Sequence, residues 1–290
     1  MRVALYDIDS KIPNLALMKL SAYHKAKGNH VEWYSPLLPN EYDIIYASKI
    51  FTYSDGGYLN SEKMLIGGSG YDLHSYLSQE IEHIYPDYAL YGIDYAMGFI
   101  TRGCIRKCPF CIVPEKEGKI YFNAPLEEFC HDQENVMLLD NNFLAYSKHM
   151  KVLEKLVTSG KRIDFNQGLD IRLINEENAA LLSQLKRWDG YRLRFSIDHP
   201  DLLPIVDKQL DLLNAAGINN SQLQFYVLIG YNTTQKEDLA RVHFLYSRGC
   251  AIFVMPYNPF CKYNKSFARW VNRYFYKYIT YPTYLEGRFI

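Results

Sequence analysis

Between residues 96 and 258 the sequence repeats a short β-rich run followed by an amphipathic stretch, and this alternation restricts the fold more than any other feature. The β-rich runs are "MGFITRG", "NVMLLDN", "RIDFNQG", "YRLRFSID", "LQFYVLIG" and "AIFVMPYN". Between them lie "SKHMKVLEKLVTSG", "NEENAALLSQLKRW", "LLPIVDKQLDLLNAAG" and "QKEDLARVHFLYSRG", whose apolar residues recur at helical spacing. Gly160, Gly217 and Gly249 stand where a left-handed residue closes such helices. A strand returning parallel to its predecessor needs a long crossover, and such crossovers are right-handed. The series therefore predicts an α/β fold, a partial (β/α)6 TIM-like barrel over residues 96–260, short of the eight units of a closed barrel.

In parallel sheets of this kind functional groups collect at the C-terminal ends of the strands. Cys104 follows the first run, Asp140, Asn141 and Asn142 end the second, and Gln167 ends the third, with Asp170 and Arg172 just beyond. Ser196 and Asp198 end the fourth and Gly230 the fifth. Along "RLRFSID" strict alternation gives one face to Leu193, Phe195 and Ile197 and the other to Arg192, Arg194, Ser196 and Asp198, too polar a face for a packed core alone.

Three of the six cysteines fall within "TRGCIRKCPFC", at Cys104, Cys108 and Cys111. The start "MRVALYDIDS" lacks the apolar core of a signal peptide, and no apolar run reaches the length of a membrane span, so the expected location is the cytoplasm. Thiols there stay reduced, and a tight cysteine group points to metal or redox chemistry rather than disulfides. Cys130, Cys250 and Cys261 are dispersed among apolar neighbours and read as small buried hydrophobes. With 32 basic and 32 acidic residues interspersed, the composition advertises neither a nucleic-acid surface nor a polybasic membrane patch, though it excludes no nucleic acid.

Two metal chemistries compete for the cysteine triad. Structural zinc closes with four ligands, and the nearest further candidates, Cys130 and His131, would give a zinc-stabilised binding module without catalysis. Iron–sulfur clusters prefer thiolates, and a 4Fe-4S cluster held by three of them keeps one iron free for a substrate or cofactor. The pattern Cys104-x-x-x-Cys108-x-x-Cys111, with Phe110 before the third cysteine and the loop following the first of six β/α units, resembles the radical S-adenosylmethionine (SAM) superfamily.

That resemblance implies a 4Fe-4S cluster whose open iron chelates SAM, reductive cleavage to a 5'-deoxyadenosyl radical, hydrogen abstraction from a substrate the sequence does not name, and an electron donor such as flavodoxin or ferredoxin. It further implies SAM contacts from Asp140, Asn141 and Asn142 after strand two, where an acidic, asparagine-containing segment replaces the usual glycine-rich one. Gln167, Asp170 and Arg172 follow strand three, with Arg172 suited to a carboxylate. Ser196 and Asp198 would meet ribose or methionine, and Gly230 the adenine. Lys107, inside the loop, would add positive charge near the cluster.

Residues 1–95 predict a small Rossmann-like αβ layer from "VALYDI", the helical "NLALMKLSAYHKAKGN", "HVEWYS", "YDIIYA" and "KMLIGG". This segment resembles a shortened cobalamin-binding domain, with "LIGGSGYD" as its paired-glycine turn, but Asp7 to Ile12 lack the histidine that would ligate cobalt. The resemblance accordingly leaves a cobalamin-dependent radical SAM methyltransferase as the alternative, with a docking scaffold that has lost cobalamin preferred. Residues 261–290 read as one aromatic-rich helix and a tail.

Overall fold

The computed structural model describes residues 1–55 and 62–287. The front layer consists of β1 (Arg2–Asp7), α1 (Leu15–Ala26), β2 (His30–Trp33), β3 (Ile44–Ser48) and β4 (Met64–Gly67). Its strands are all parallel in the order β2-β1-β3-β4. Asn14 caps α1 by accepting the Leu17 N–H at 3.2 Å, and its own amide donates to Ser48 Oγ at 2.8 Å, which ties the helix start to the end of β3. Leu17 and Leu20 pack with Leu5 of β1, while Leu15 and Met18 belong to the main core, so α1 joins the front layer to the rest of the chain. Short helix α2 (Gln79–Glu82) follows.

The second part runs through β5 (Ala96–Gly98), β6 (Thr101–Arg102), α3 (Val113–Lys116), β7 (Tyr121–Phe122), β8 (Asn135–Leu138), α4 (His149–Ser159) and β9 (Arg162–Phe165). It continues with α5 (Glu176–Gln184), β10 (Leu193–Ile197), α6 (Leu203–Ala215), β11 (Leu223–Ile229), α7 (Gln235–Ser247), β12 (Ala251–Pro256), α8 (Lys262–Asn272) and α9 (Tyr281–Leu285). The fold is mixed α/β, with parallel sheets β5-β8-β9 and β10-β11-β12. Parallel bridges Ile163–Arg187 and Leu169–Phe195 connect the two sheets.

Alternation organises these strands. Leu223, Phe225, Val227 and Ile229 of β11 are fully buried and share one core with Val206 and Leu210 of α6 and Val242 and Leu245 of α7. On the last strand Phe253 and Met255 point the other way and stay 42% and 47% exposed. Arg241 of α7 is fully buried, and its Nη1 donates to the carbonyls of Ile197 at 3.1 Å and Leu228 at 2.7 Å. Asp238 pairs with Arg241 and also accepts from Thr233 Oγ1 and Tyr263 Oη, each at 2.8 Å.

Three expectations change. "MGFITRG" is not one strand: β5 ends at Gly98, and the N–H groups of Ile100 and Thr101 turn to the Asp140 carboxylate before β6 pairs antiparallel with β7. Helix α5 stops at Gln184, with Leu185 extended and buried. The C-terminal segment is two helices rather than one and a tail, because Tyr281 of α9 is 2% exposed and packs its ring 5.0 Å from Phe267 and 5.3 Å from Trp270 of α8. The end of that predicted tail, residues 288–290, lies outside the described residues. Among the described residues no helix is long and apolar enough to cross a membrane.

Candidate functional site

The cysteine loop leaves β6 through Gly103, whose φ of +84° puts it in the left-handed region and whose position would bring a Cβ within 2.4 Å of the Lys119 carbonyl oxygen. Gly103 donates its N–H to Asn141 Oδ1 at 2.9 Å, and Cys104 donates its own to Gly118 O at 3.1 Å. A turn closed by Cys111 N–H to Cys108 O at 3.0 Å holds the last two cysteines together. The Sγ of Cys104 accepts from the Arg106 N–H at 3.3 Å and from Asn142 Nδ2 at 3.2 Å. Cys104 and Cys108 are half-buried and Cys111 is exposed.

Asp170 is the hub on the opposite side. Its carboxylate caps the turn Ile171–Leu173 and accepts Arg172 Nε at 2.6 Å, Arg172 Nη2 at 3.1 Å, Arg106 Nε at 2.9 Å and Asn142 Nδ2 at 3.4 Å. Burial opposes ionisation, but Arg172 and Arg106 outweigh it and hold the acid below the usual carboxylate range. Asp198 is shifted the other way: burial raises its pKa against the pull of Arg172 and Arg241. The Cys108 thiol is pushed up by burial, then by Asp198, Cys111 and Cys104, with Arg172 acting against them. Cys111, though exposed as a residue, has its thiol shielded by neighbouring atoms, which raises it, as Cys104 and Asp198 also do, while the Val113 N–H acts against them. These charges act on one another because the cysteine loop and the segments after β9 and β10 gather at one end of the sheets.

The remaining sequence-predicted residues are less uniform. Asp140 is 3% exposed and faces the backbone: its oxygens accept Ile100 N–H at 3.1 Å and both the N–H and hydroxyl of Thr101 at 2.6 Å. Burial still lifts its pKa to about 6. Asn142, two residues on, is the member of that triplet that reaches the thiols, and its Oδ1 is buried without a partner. Gln167 is exposed, whereas Ser196 is half-buried on the polar face of β10. Gly230, at φ +75°, abuts Asn264 of α8 so closely that a Cβ would lie 2.3 Å from its Nδ2. Phe110 sets its ring 5.3 Å from Tyr231, which in turn lies 4.9 Å from Tyr257. Lys107 is exposed; the loop cation that is anchored is Arg106, which sequence reasoning missed along with Asn264 and the two tyrosines.

The donor set fits an iron–sulfur cluster in its chemistry: three thiols in one loop, N–H donors directed at one sulfur, and a buried unpartnered amide oxygen beside it. Among the described residues no three His, Cys, Asp or Glu side chains converge as they would around a single ion. The ligands that zinc would need to complete a set are engaged elsewhere. Cys130 is buried with its Sγ 3.6 Å from Gln133 O, and His131 stacks on Tyr85 at 4.0 Å. In the front layer a Cβ at Gly68 would meet Lys49 O at 2.2 Å and one at Gly70 would meet Phe51 backbone at 2.5 Å, so the chain's own backbone already requires glycine at both positions.

No family model matches the sequence, and a search of curated proteins finds no match to it.

Proposed function

We propose that the chain is a radical SAM enzyme built on a partial barrel, as its cysteine spacing resembles that superfamily. The observation that carries the reading is Asn142, whose Nδ2 lies 3.2 Å from Cys104 Sγ while its buried Oδ1 has no donor, with Arg172 and Asp198 near enough for their charges to act on Cys108. A 4Fe-4S cluster held by Cys104, Cys108 and Cys111 would supply one-electron reductive cleavage of bound SAM and so the means of abstracting hydrogen from a substrate.

The chain's residues then have distinct tasks. Cys104, Cys108 and Cys111 would hold the cluster, and the N–H groups directed at Cys104 Sγ would draw its potential upward. Asn142 Oδ1 is an acceptor for an ammonium group, and Arg172, oriented by its bidentate contact with Asp170, presents its remaining donors to a carboxylate. Asp198 accepts from sugar hydroxyls, and the rings of Phe110, Tyr231 and Tyr257 form a partly exposed aromatic wall for an adenine to pack against. The electron comes from a small carrier such as flavodoxin or ferredoxin.

The deciding experiment is anaerobic reconstitution with iron and sulfide, reduction in the presence of SAM, and assay for 5'-deoxyadenosine. Product from the wild type and its loss, together with the cluster, in Cys108→Ala is expected. Bound zinc without product, or product at the normal rate from Cys108→Ala, would overturn the proposal.

A further inference from the structure

Residues 103–118 contain all three clustered cysteines but little regular structure, so the shape of this loop has to come from its neck. Arg102, the last residue before it, donates from Nη1 to both oxygens of Glu117 at 3.1 and 3.3 Å, closing the loop across its two ends. The same guanidinium donates from Nη2 to Glu82 Oε1 at 2.8 Å and lies with its Cζ 3.9 Å above the Phe99 ring. Glu82 belongs to α2, before the strand series begins, and also receives Lys19 Nζ of α1 at 2.9 Å. The four side chains form a buried, charge-balanced chain, with Lys19 6% exposed, Arg102 15%, Glu82 16% and Glu117 7%.

A second set of contacts runs alongside. Tyr76 donates its hydroxyl to Lys116 O at 2.5 Å, and Lys116 Nζ donates back to Leu73 O at 3.4 Å. Burial works against the charge on Glu82, yet Arg102 and Lys19 hold its pKa below the usual value, so the pair of cations is felt.

We infer that the front layer is a clamp for the cysteine loop, and that Glu82 is its positioning residue, joining Lys19 of the front layer to Arg102 at the neck of the loop. This rests on the proposed function for its purpose, though not for its geometry. A loop that must present three sulfurs to iron with only the four residues of α3 as a regular element gains a fixed neck from the front layer, which thereby has a task independent of any corrinoid.

The test compares the full-length wild type with Glu82→Gln and with Arg102→Lys, which keeps the charge but loses the two-pronged contact. In chelator-treated, reduced protein, iodoacetamide labelling of Cys104 and amide exchange across residues 103–118 should each quicken by about ten-fold in both variants, while labelling of buried Cys130 stays unchanged. Unchanged labelling and exchange in Arg102→Lys overturns the clamp whether or not the protein binds iron. Faster labelling in a protein that never takes up iron sustains the clamp and sinks the cofactor proposal instead. If Glu82→Gln fails to fold, Arg102→Lys alone decides.

Discussion

Arg106 Nε and Asp170 Oδ2 lie 2.9 Å apart, so the cysteine loop is pinned to the turn after β9 by a cation that sits between two of the clustered thiols. Arg172 binds the same carboxylate from the other side. Asp170→Asn therefore releases two guanidinium groups at once. Both arginines are partly exposed and regain water, which limits the expected loss to about 2 kcal/mol of folding stability, measured by urea unfolding. SAM affinity of the reconstituted protein should fall more than this stability change would imply; an unchanged affinity would remove Arg172 from the proposed carboxylate site.

Asn142→Ala deletes both the donor to Cys104 Sγ and the unpartnered acceptor next to it. Iron content should survive, because the sulfurs remain. SAM binding should weaken by about 10- to 100-fold, the range expected for one hydrogen bond to a charged group, and equilibrium dialysis with labelled SAM would read it. The cluster potential should move downward with the lost N–H donor.

Asp140 gives a pH signature that can be isolated. Its folded pKa of about 6 lies above the ordinary carboxyl value of 3.8, so the folded chain holds this proton more tightly than the unfolded chain does. The stabilisation is complete below the unfolded value and disappears as pH climbs through about 6, which corresponds to roughly 3 kcal/mol. Subtracting the unfolding free energy of Asp140→Asn from that of the wild type between pH 3.5 and about 7 should leave a difference that declines with rising pH. A flat difference would show that Asp140 titrates normally.

Gly230→Ala combines a left-handed backbone with a Cβ 2.3 Å from Asn264 Nδ2, and Asn264 is too buried to swing away. A loss of about 3 kcal/mol is expected. Adding Asn264→Ser should return the steric part and leave the backbone part, so denaturation of the single and double variants separates the two.

How far the sequence discloses this arrangement depends on how local each signal is. The parallel sheets and the cysteine loop are local: hydrophobic period and residue spacing specify them without reference to distant partners. Which of three consecutive polar residues faces the thiols is not. Asp140, Asn141 and Asn142 are chemically interchangeable in a pattern, and they separate in space because the chain breaks from β5 at Gly98 and needs Asp140 for the freed amides of Ile100 and Thr101. Lys107 and Arg106 pose the same problem, resolved by a carboxylate far along the chain. The aromatic C-terminal segment misled for another reason: tyrosines that look like a solvated tail bury their rings against Phe267 and Trp270 while keeping hydroxyls free to bond, as Tyr281 does with Ser266 at 2.6 Å.

Arg241 links the carbonyls of Ile197 and Leu228 to helix α7 without any contact with water. Two neighbouring strand ends and the helix behind them are thereby fused into a single mechanical part. Lysine cannot span both oxygens, and an apolar replacement strands Asp238, so the position tolerates no gradual drift. Whatever loosens that one guanidinium loosens the floor under Asp198 and Gly230 together.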